Sequence, residues 1–249
     1  MDRGASGEAP AIDVLLPAHN EAESISGTLR EFHRVAAELH GISIRFVVSE
    51  DGSTDGTPEV LRQLGDELPI KLLSDPVRKG YSRAVVDGFA ATSGDLVCVV
   101  DADGQCDPDD FPTLLQHIAE NDLVVGYRSP RVDHWTRKWL SAGFKIVYRR
   151  LFPVRLRDPS CPYLIIRRPA LERIQEGNLG ILSQGFWWEF MARAVSERLR
   201  IEEVPVGHRA RASGETQVYR PLALPAIAWS HLRGLFVLRG ELKRRRESG

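Results

Sequence analysis

Leu96-Val97-Cys98-Val99-Val100-Asp101-Ala102-Asp103-Gly104-Gln105 runs five apolar, mostly β-branched residues straight into two carboxylates one residue apart. A short apolar run of this kind reads as a buried strand, so Asp101 and Asp103 fall at its C-terminal end. In open α/β sheets that is where ligands bind. Carboxylates at such an edge, with few basic residues adjacent in sequence, call for a cation, and hard oxygen ligands suit Mg²⁺ or Mn²⁺. A divalent ion there would in turn hold a diphosphate. Alone, the pair also reads as a turn former, because Asp and Gly favour strand-to-helix loops.

The flanking sequence favours the first reading. Upstream, Ile12–Leu16 reads as a strand, and Glu21–Leu39 carries Ile25, Leu29, Phe32, Val35, Ala36 and Leu39 at helical spacing. Ile42–Val48 is a second strand ending at Glu50-Asp51-Gly52-Ser53, with Thr57 as N-cap and Pro58 opening the next helix. Ile70–Leu73 is a short third strand, and Gly80–Ala91 a helix with Ala84, Val85, Gly88 and Phe89 inward. Downstream come helix Pro108–Glu120 and strand Leu123–Tyr127. Beyond them lie a basic, aromatic helix over Trp135–Leu151, strand Tyr163–Arg167, helices from Pro169 and over Phe186–Ala194, strand Ile201–Val206 and a C-terminal helix. Alternating strands and helices predict an α/β fold with a mostly parallel sheet. The expected layout is a lead-in over 1–10, one domain over 11–220 divided near residue 127, and a helix with a basic tail over 221–249.

The chain has 249 residues, net charge −1 and 43% hydrophobic residues, which suits a globular core and argues against general nucleic-acid binding. Arg128, Arg131, Arg137, Lys138, Lys145, Arg149, Arg150, Arg155 and Arg157 share a stretch whose one acid is Asp133, and Lys243-Arg244-Arg245-Arg246 lies near the C-terminus. These segments are solvated faces or attract anionic lipid. Cys98, Cys106 and Cys161 form neither a disulfide framework nor a zinc spacing, so a reducing, cytoplasmic setting is expected. The N-terminus has no apolar h-region. Pro225, His231 and Arg233 interrupt the apolar stretch Leu222–Leu238, which suggests lying on a bilayer or packing on the domain rather than crossing.

Parallel topology places Pro17–Glu21, Glu50–Thr57 and Asp101–Gln105 on one rim. There Asp51 and Glu50 are acceptors for a nucleobase N–H and a ribose hydroxyl, Gly52 lets backbone come close, and Asp55 caps its turn. Together with Lys79-Gly80 and His208–Gln217, these segments resemble family 2 glycosyltransferases of the GT-A fold, most closely the dolichyl- and polyprenyl-phosphate mannose or glucose synthases. The resemblance runs from about Ile12 to Tyr219, with its five motifs in order.

The resemblance implies a Rossmann-like GT-A domain and an inverting, metal-dependent transferase. Its donor would be GDP-mannose, UDP-glucose or UDP-N-acetylglucosamine. Pro17, Ala18, Asn20, Glu21, Glu50, Asp51, Ser53, Lys79, Gly80, Asp101, Ala102, Asp103 and Gln105 would contact the nucleotide sugar, with Asp101, Asp103 and Gln105 at Mg²⁺ or Mn²⁺. Arg128, Glu189, Arg209, Arg211 and Gln217 would face the acceptor or its phosphate. Asp158 would be the general base, in a segment where Pro162 and Leu164 replace the family's Gly and Arg. For Glu189 a salt bridge with Arg193 is the plainer role, as packing is for at least one of Trp187 and Trp188. The acceptor is a polyprenyl phosphate at the cytoplasmic membrane face or a soluble small-molecule hydroxyl.

Competing classes fit less well. A haloacid-dehalogenase-like phosphatase carries its Asp pair on the first strand, whereas here it follows the fourth. A dinucleotide oxidoreductase lacks its Gly-x-Gly-x-x-Gly after strand one. Intact Asp101, Asp103 and Gln105 argue against a non-catalytic nucleotide-binding module.

Overall fold

A computed structural model gives the structure, which describes residues 10–129, 144, 146–182, 185–210 and 224–248. Its first elements are β1 (Ala11–Ala18), α1 (Ile25–Ala37), β2 (Ser43–Asp51), α2 (Thr57–Leu64), β3 (Ile70–Asp75), α3 (Tyr81–Ala91) and β4 (Leu96–Val99). A 3₁₀ turn (Pro108–Asp110), α4 (Phe111–Ile118) and β5 (Leu123–Arg128) follow. The remainder comprises β6 (Leu164–Arg167), α5 (Arg168–Gln175), α6 (Phe186–Ser196), β7 (Ile201–Val206) and α7 (Leu224–Ser248). Most of the Trp135–Leu151 helix expectation lies outside the described residues, although 146–151 is helical.

Two start signals shift. Helix α1 begins at Ile25 rather than Glu21, because Glu21 accepts from the Ser24 and Ile25 N–H groups in a preceding turn. Gly56, in the left-handed region at φ 89°, caps α2, so Thr57 is its first residue rather than its cap.

The seven strands form one sheet in the order β3-β2-β1-β4-β6-β5-β7. Strands β1 to β4 are mutually parallel, and β5 pairs parallel with β7. Strand β6 is inserted antiparallel between β4 and β5. Register aligns Ala18 with Glu50 and Glu50 with Ser74, so the loops after β1, β2 and β3 leave the sheet side by side. Val97, Cys98 and Val99 are wholly buried, as a central strand covered on both faces requires.

Helix α7 packs on the domain through Leu235, Leu238 and Leu242, spaced along one buried face, while Phe236 (61% exposed) and Val237 (50%) point outward. Among the described residues no helix is long and apolar enough to cross a membrane.

Candidate active site

The loops after β1 and β2 are braced against each other. Asn20, held at φ 56°, donates its N–H to Ser53 Oγ at 2.9 Å, and its Oδ1 accepts the Thr54 N–H at 2.8 Å. The Glu21 N–H donates to Thr57 Oγ1 at 2.9 Å, while Asp55 accepts from the Ala22 and Thr57 N–H groups, each at 3.1 Å. Asp55 therefore fills its expected capping role.

Glu50 and Asp51, expected to meet base and ribose, each accept hydrogen bonds from their own chain at this rim. Glu50 is 2% exposed and accepts from the Ser53 N–H at 2.5 Å and Ser74 Oγ at 2.9 Å. Asp51 is 3% exposed, and its two oxygens accept from the Lys79 and Gly80 N–H groups at 2.6 and 2.8 Å. Buried carboxylates need such donors, so these two set the shape of the rim. The Lys79 ammonium lies between Asp75 and Asp87. Next to it Ser49, Ser74 and Ala84 help line a cleft of about 440 Å³, with Glu50 and Asp51 at one wall. Pro17 and Ala18 end β1 at the same rim, and Ala18 is buried.

Asp101 and Asp103 follow β4 at the C-terminal sheet edge. Tyr81 Oη donates to Asp101 Oδ1 at 2.9 Å, and Trp187 Nε1 donates to Tyr81 Oη at 2.9 Å. Burial, with the neighbouring negative charge of Asp103, pushes the Asp101 carboxyl up to about 7. Asp103 Oδ1 accepts the Gln105 N–H at 3.1 Å, fixing the turn through Ala102, whose carbonyl receives Thr28 Oγ1. Paired carboxylates at a sheet edge fit a hard divalent cation, and the Arg128 guanidinium partly offsets the charge on Asp101. Among the described residues no His, Cys, Asp or Glu joins them to make a cluster of three. The remaining coordination positions would fall to water and substrate oxygens, as Mg²⁺ favours. Gln105 Nε2 donates to the Arg209 carbonyl at 3.2 Å, which leaves any ligand role to its amide oxygen.

A bridge between Cys106 and His208 lays the 207–210 segment along this loop, and the Arg209 N–H donates to the Gln105 carbonyl at 2.9 Å. The Arg209 guanidinium, expected to meet a phosphate, sits between Glu31 (2.5 Å) and Asp107 (2.8 Å). Arg211 and Gln217 lie outside the described residues.

On the side expected to face the acceptor, the charged residues pair with one another. Arg128 grips Asp158 in a bidentate pair, Nε to Oδ2 at 2.7 Å and Nη2 to Oδ1 at 3.0 Å, with Ser160 Oγ on Oδ1 at 2.8 Å. Asp158, the expected base, is 4% exposed and has both carboxylate oxygens in this pair. Glu189 is fully buried, with Arg193 Nε at 2.9 Å and the Gly180 and Leu182 N–H groups at 3.1 and 2.8 Å. The expected salt bridge with Arg193 is therefore present. Leu164 is wholly buried in β6, so its departure from the family's Arg is a packing substitution. Trp187 is 6% exposed and Trp188 packs on Phe144 and Tyr148, which bears out packing for both. Sequence reasoning missed Tyr81, although its place directly after Lys79-Gly80 on the rim marked it.

Residues 13–175 match the family model described as Glycosyl transferase family 2. The chain belongs to that family. Among curated relatives, the dolichol-phosphate mannosyltransferase of Pyrococcus furiosus is 30% identical over 215 residues, covering 83% of this chain and 59% of the relative. The undecaprenyl-phosphate 4-deoxy-4-formamido-L-arabinose transferase of Pseudomonas aeruginosa is 29% identical over 214 residues, covering 83% and 60%. The glycosyltransferase chain thus spans 59% and 60% of these two relatives' lengths. A solved glucosyl-3-phosphoglycerate synthase from Mycobacterium tuberculosis, holding Mn²⁺, UDP and glucosyl-3-phosphoglycerate, superposes with TM-score 0.67 at 22% identity, covering 96% of this chain and 86% of that one. A mannosyltransferase from Pyrobaculum calidifontis, with GDP-Man and Mn²⁺, gives TM-score 0.62 at 20% identity, covering 92% and 64%. The fold is GT-A, mostly parallel and flanked by helices, as the strand order shows.

Proposed function

We propose that the chain is a metal-dependent, inverting glycosyltransferase that moves a sugar from a nucleotide sugar to a polyprenyl phosphate at an anionic membrane surface. The donor classes are GDP-mannose, UDP-glucose and UDP-N-acetylglucosamine. The paired carboxylates at the end of β4 support the donor half of this reading. Asp101 and Asp103 would hold Mg²⁺ or Mn²⁺, which when bound neutralises charge developing on the departing diphosphate. The loops braced by Asn20, Glu50 and Asp51 would seat base and ribose, and the 207–210 segment would wall the phosphate side.

The observation that carries the acceptor is the Arg128–Asp158 pair. A hydroxyl acceptor must lose its proton to a base, whereas a phosphate ester is already ionised near neutral pH. With both Asp158 oxygens engaged, the second kind suits the site better. The identity to the P. furiosus and P. aeruginosa relatives points the same way. The outer face of α7 adds exposed Arg233, Arg239, Lys243 and Arg244 beside Phe236 and Val237. Such a face supplies about 1 kcal/mol of attraction to anionic lipid per basic residue near the surface.

The test presents each donor with undecaprenyl phosphate in anionic liposomes and Mn²⁺. Organic-soluble product, lost with EDTA and in Asp103→Ala, is expected, as is liposome binding that weakens with salt. Metal-independent turnover by a folded Asp103→Ala variant refutes the metal reading. Transfer to a soluble hydroxyl instead, without liposome binding and with Asp158→Asn inactive, replaces the lipid acceptor and restores Asp158 as the base.

A further inference from the structure

Tyr81 joins three parts of the molecule that sequence places far apart. Its backbone opens α3 immediately after Lys79 and Gly80, whose N–H groups are held by buried Asp51. Its hydroxyl reaches Asp101 Oδ1, and the indole of Trp187 on α6 reaches that hydroxyl. The direction of this chain is fixed by chemistry. An indole N–H only donates, so Tyr81 Oη accepts from Trp187 and its own proton must point elsewhere. Asp101 is the carboxylate it meets, and among the described residues Tyr81 is the side chain that donates to it. Trp187 is itself immobilised, stacked edge-on against Phe186 (5.0 Å between centroids) and Phe190 (5.5 Å).

We propose that Tyr81 is a positioning residue for the cation site, pinning one oxygen of Asp101 so that the other is aimed outward, with Trp187 orienting the Tyr81 proton. This rests on the glycosyltransferase reading above, since it needs a cation at Asp101 and Asp103. A carboxylate with one oxygen fixed has lost most of its rotational freedom before the cation arrives. Binding then costs less ordering. The arrangement also ties the donor-side carboxylate to helix α6 of the acceptor half.

The test uses the full chain and Mn²⁺ with GDP or UDP, reading bound metal by loss of the free-ion electron paramagnetic resonance signal. Tyr81→Phe keeps the ring and removes the hydroxyl, and Trp187→Phe keeps a buried aromatic and removes the N–H. Loss of one hydrogen bond to a charged group predicts roughly tenfold weaker Mn²⁺ binding for Tyr81→Phe. Trp187→Phe should weaken it about threefold, acting through a neutral hydrogen bond. The double variant should match Tyr81→Phe alone, because the two act in series. Circular dichroism establishes that each variant is folded. Mn²⁺ affinity within twofold of the parent in folded Tyr81→Phe overturns the proposal, as does full additivity in the double variant. If the parent binds Mn²⁺ and Asp103→Ala does not, such a result removes the role of Tyr81 alone. A parent that binds no Mn²⁺ with either nucleotide removes the metal site and this role together.

Discussion

The Arg128 guanidinium and the Asp158 carboxylate form a bidentate pair, joined by hydrogen bonds of 2.7 and 3.0 Å. Asp158→Asn keeps the shape and removes the charge. With Arg128 retaining some solvent contact, the loss is about 2 kcal/mol of stability, below that for a fully buried pair. Urea unfolding measures it. Transfer to a lipid phosphate should persist within about tenfold, whereas loss of a general base would cost roughly 10²–10⁴ in rate.

Arg193 is wholly buried between Glu189 and Glu241, at 2.8 and 2.9 Å. Arg193→Met leaves two carboxylates without their cation and should destabilise the fold by about 3–5 kcal/mol. Glu189→Gln should cost less, since Arg193 keeps Glu241. Burial already raises the Glu189 carboxyl above its ordinary range, which eases its neutralisation. Equilibrium denaturation of both variants checks the order.

A Cβ on Gly52 would stand 2.5 Å from the Arg78 backbone nitrogen, at a φ of +64°. Gly52→Ala should therefore cost about 1–3 kcal/mol and weaken nucleoside diphosphate binding, because the loops after β2 and β3 must part. Gly27 in α1 meets nothing within 4 Å. Gly27→Ala should add about 0.5–1 kcal/mol. Thermal shifts with and without nucleotide separate the two effects.

His231 on α7 packs against the Phe144 ring, and burial lowers its protonation below the ordinary imidazole range. The unfolded chain then binds that proton more readily than the folded one. Stability is full above the unfolded value near 6.5 and declines as pH falls through the lower folded one. Melting curves from pH 7.5 to 5 should show less acid sensitivity in His231→Phe than in the parent. Equal slopes would remove His231 as the cause.

Much of the fold up to β4 was legible because local pattern decides it. The apolar runs of β1, β2 and β4 and the inward Ala84, Val85 and Phe89 of α3 follow from spacing alone. The carboxylates of Asp101 and Asp103 were legible for the same reason. Partner choice was not. Asp158 finds Arg128 across 30 positions and Arg209 finds Glu31 across 178, separations at which residue type reveals that a charge needs a partner but not which one. Glu189 was the intermediate case, since Arg193 one turn on was visible, yet its burial depended on the 180–182 backbone folding over it.

Strand β6 is interior to the sheet but late in the chain. It fills the gap between β4 and β5, although residue 164 is synthesised well after residue 128. A nascent chain stopped near residue 128 therefore holds β4 and β5 with facing edges bare, and unpaired edges are templates for association. The sheet is complete only once residues 164–167 have been delivered. A cut between residues 128 and 164 would therefore part β6 from both of its neighbours.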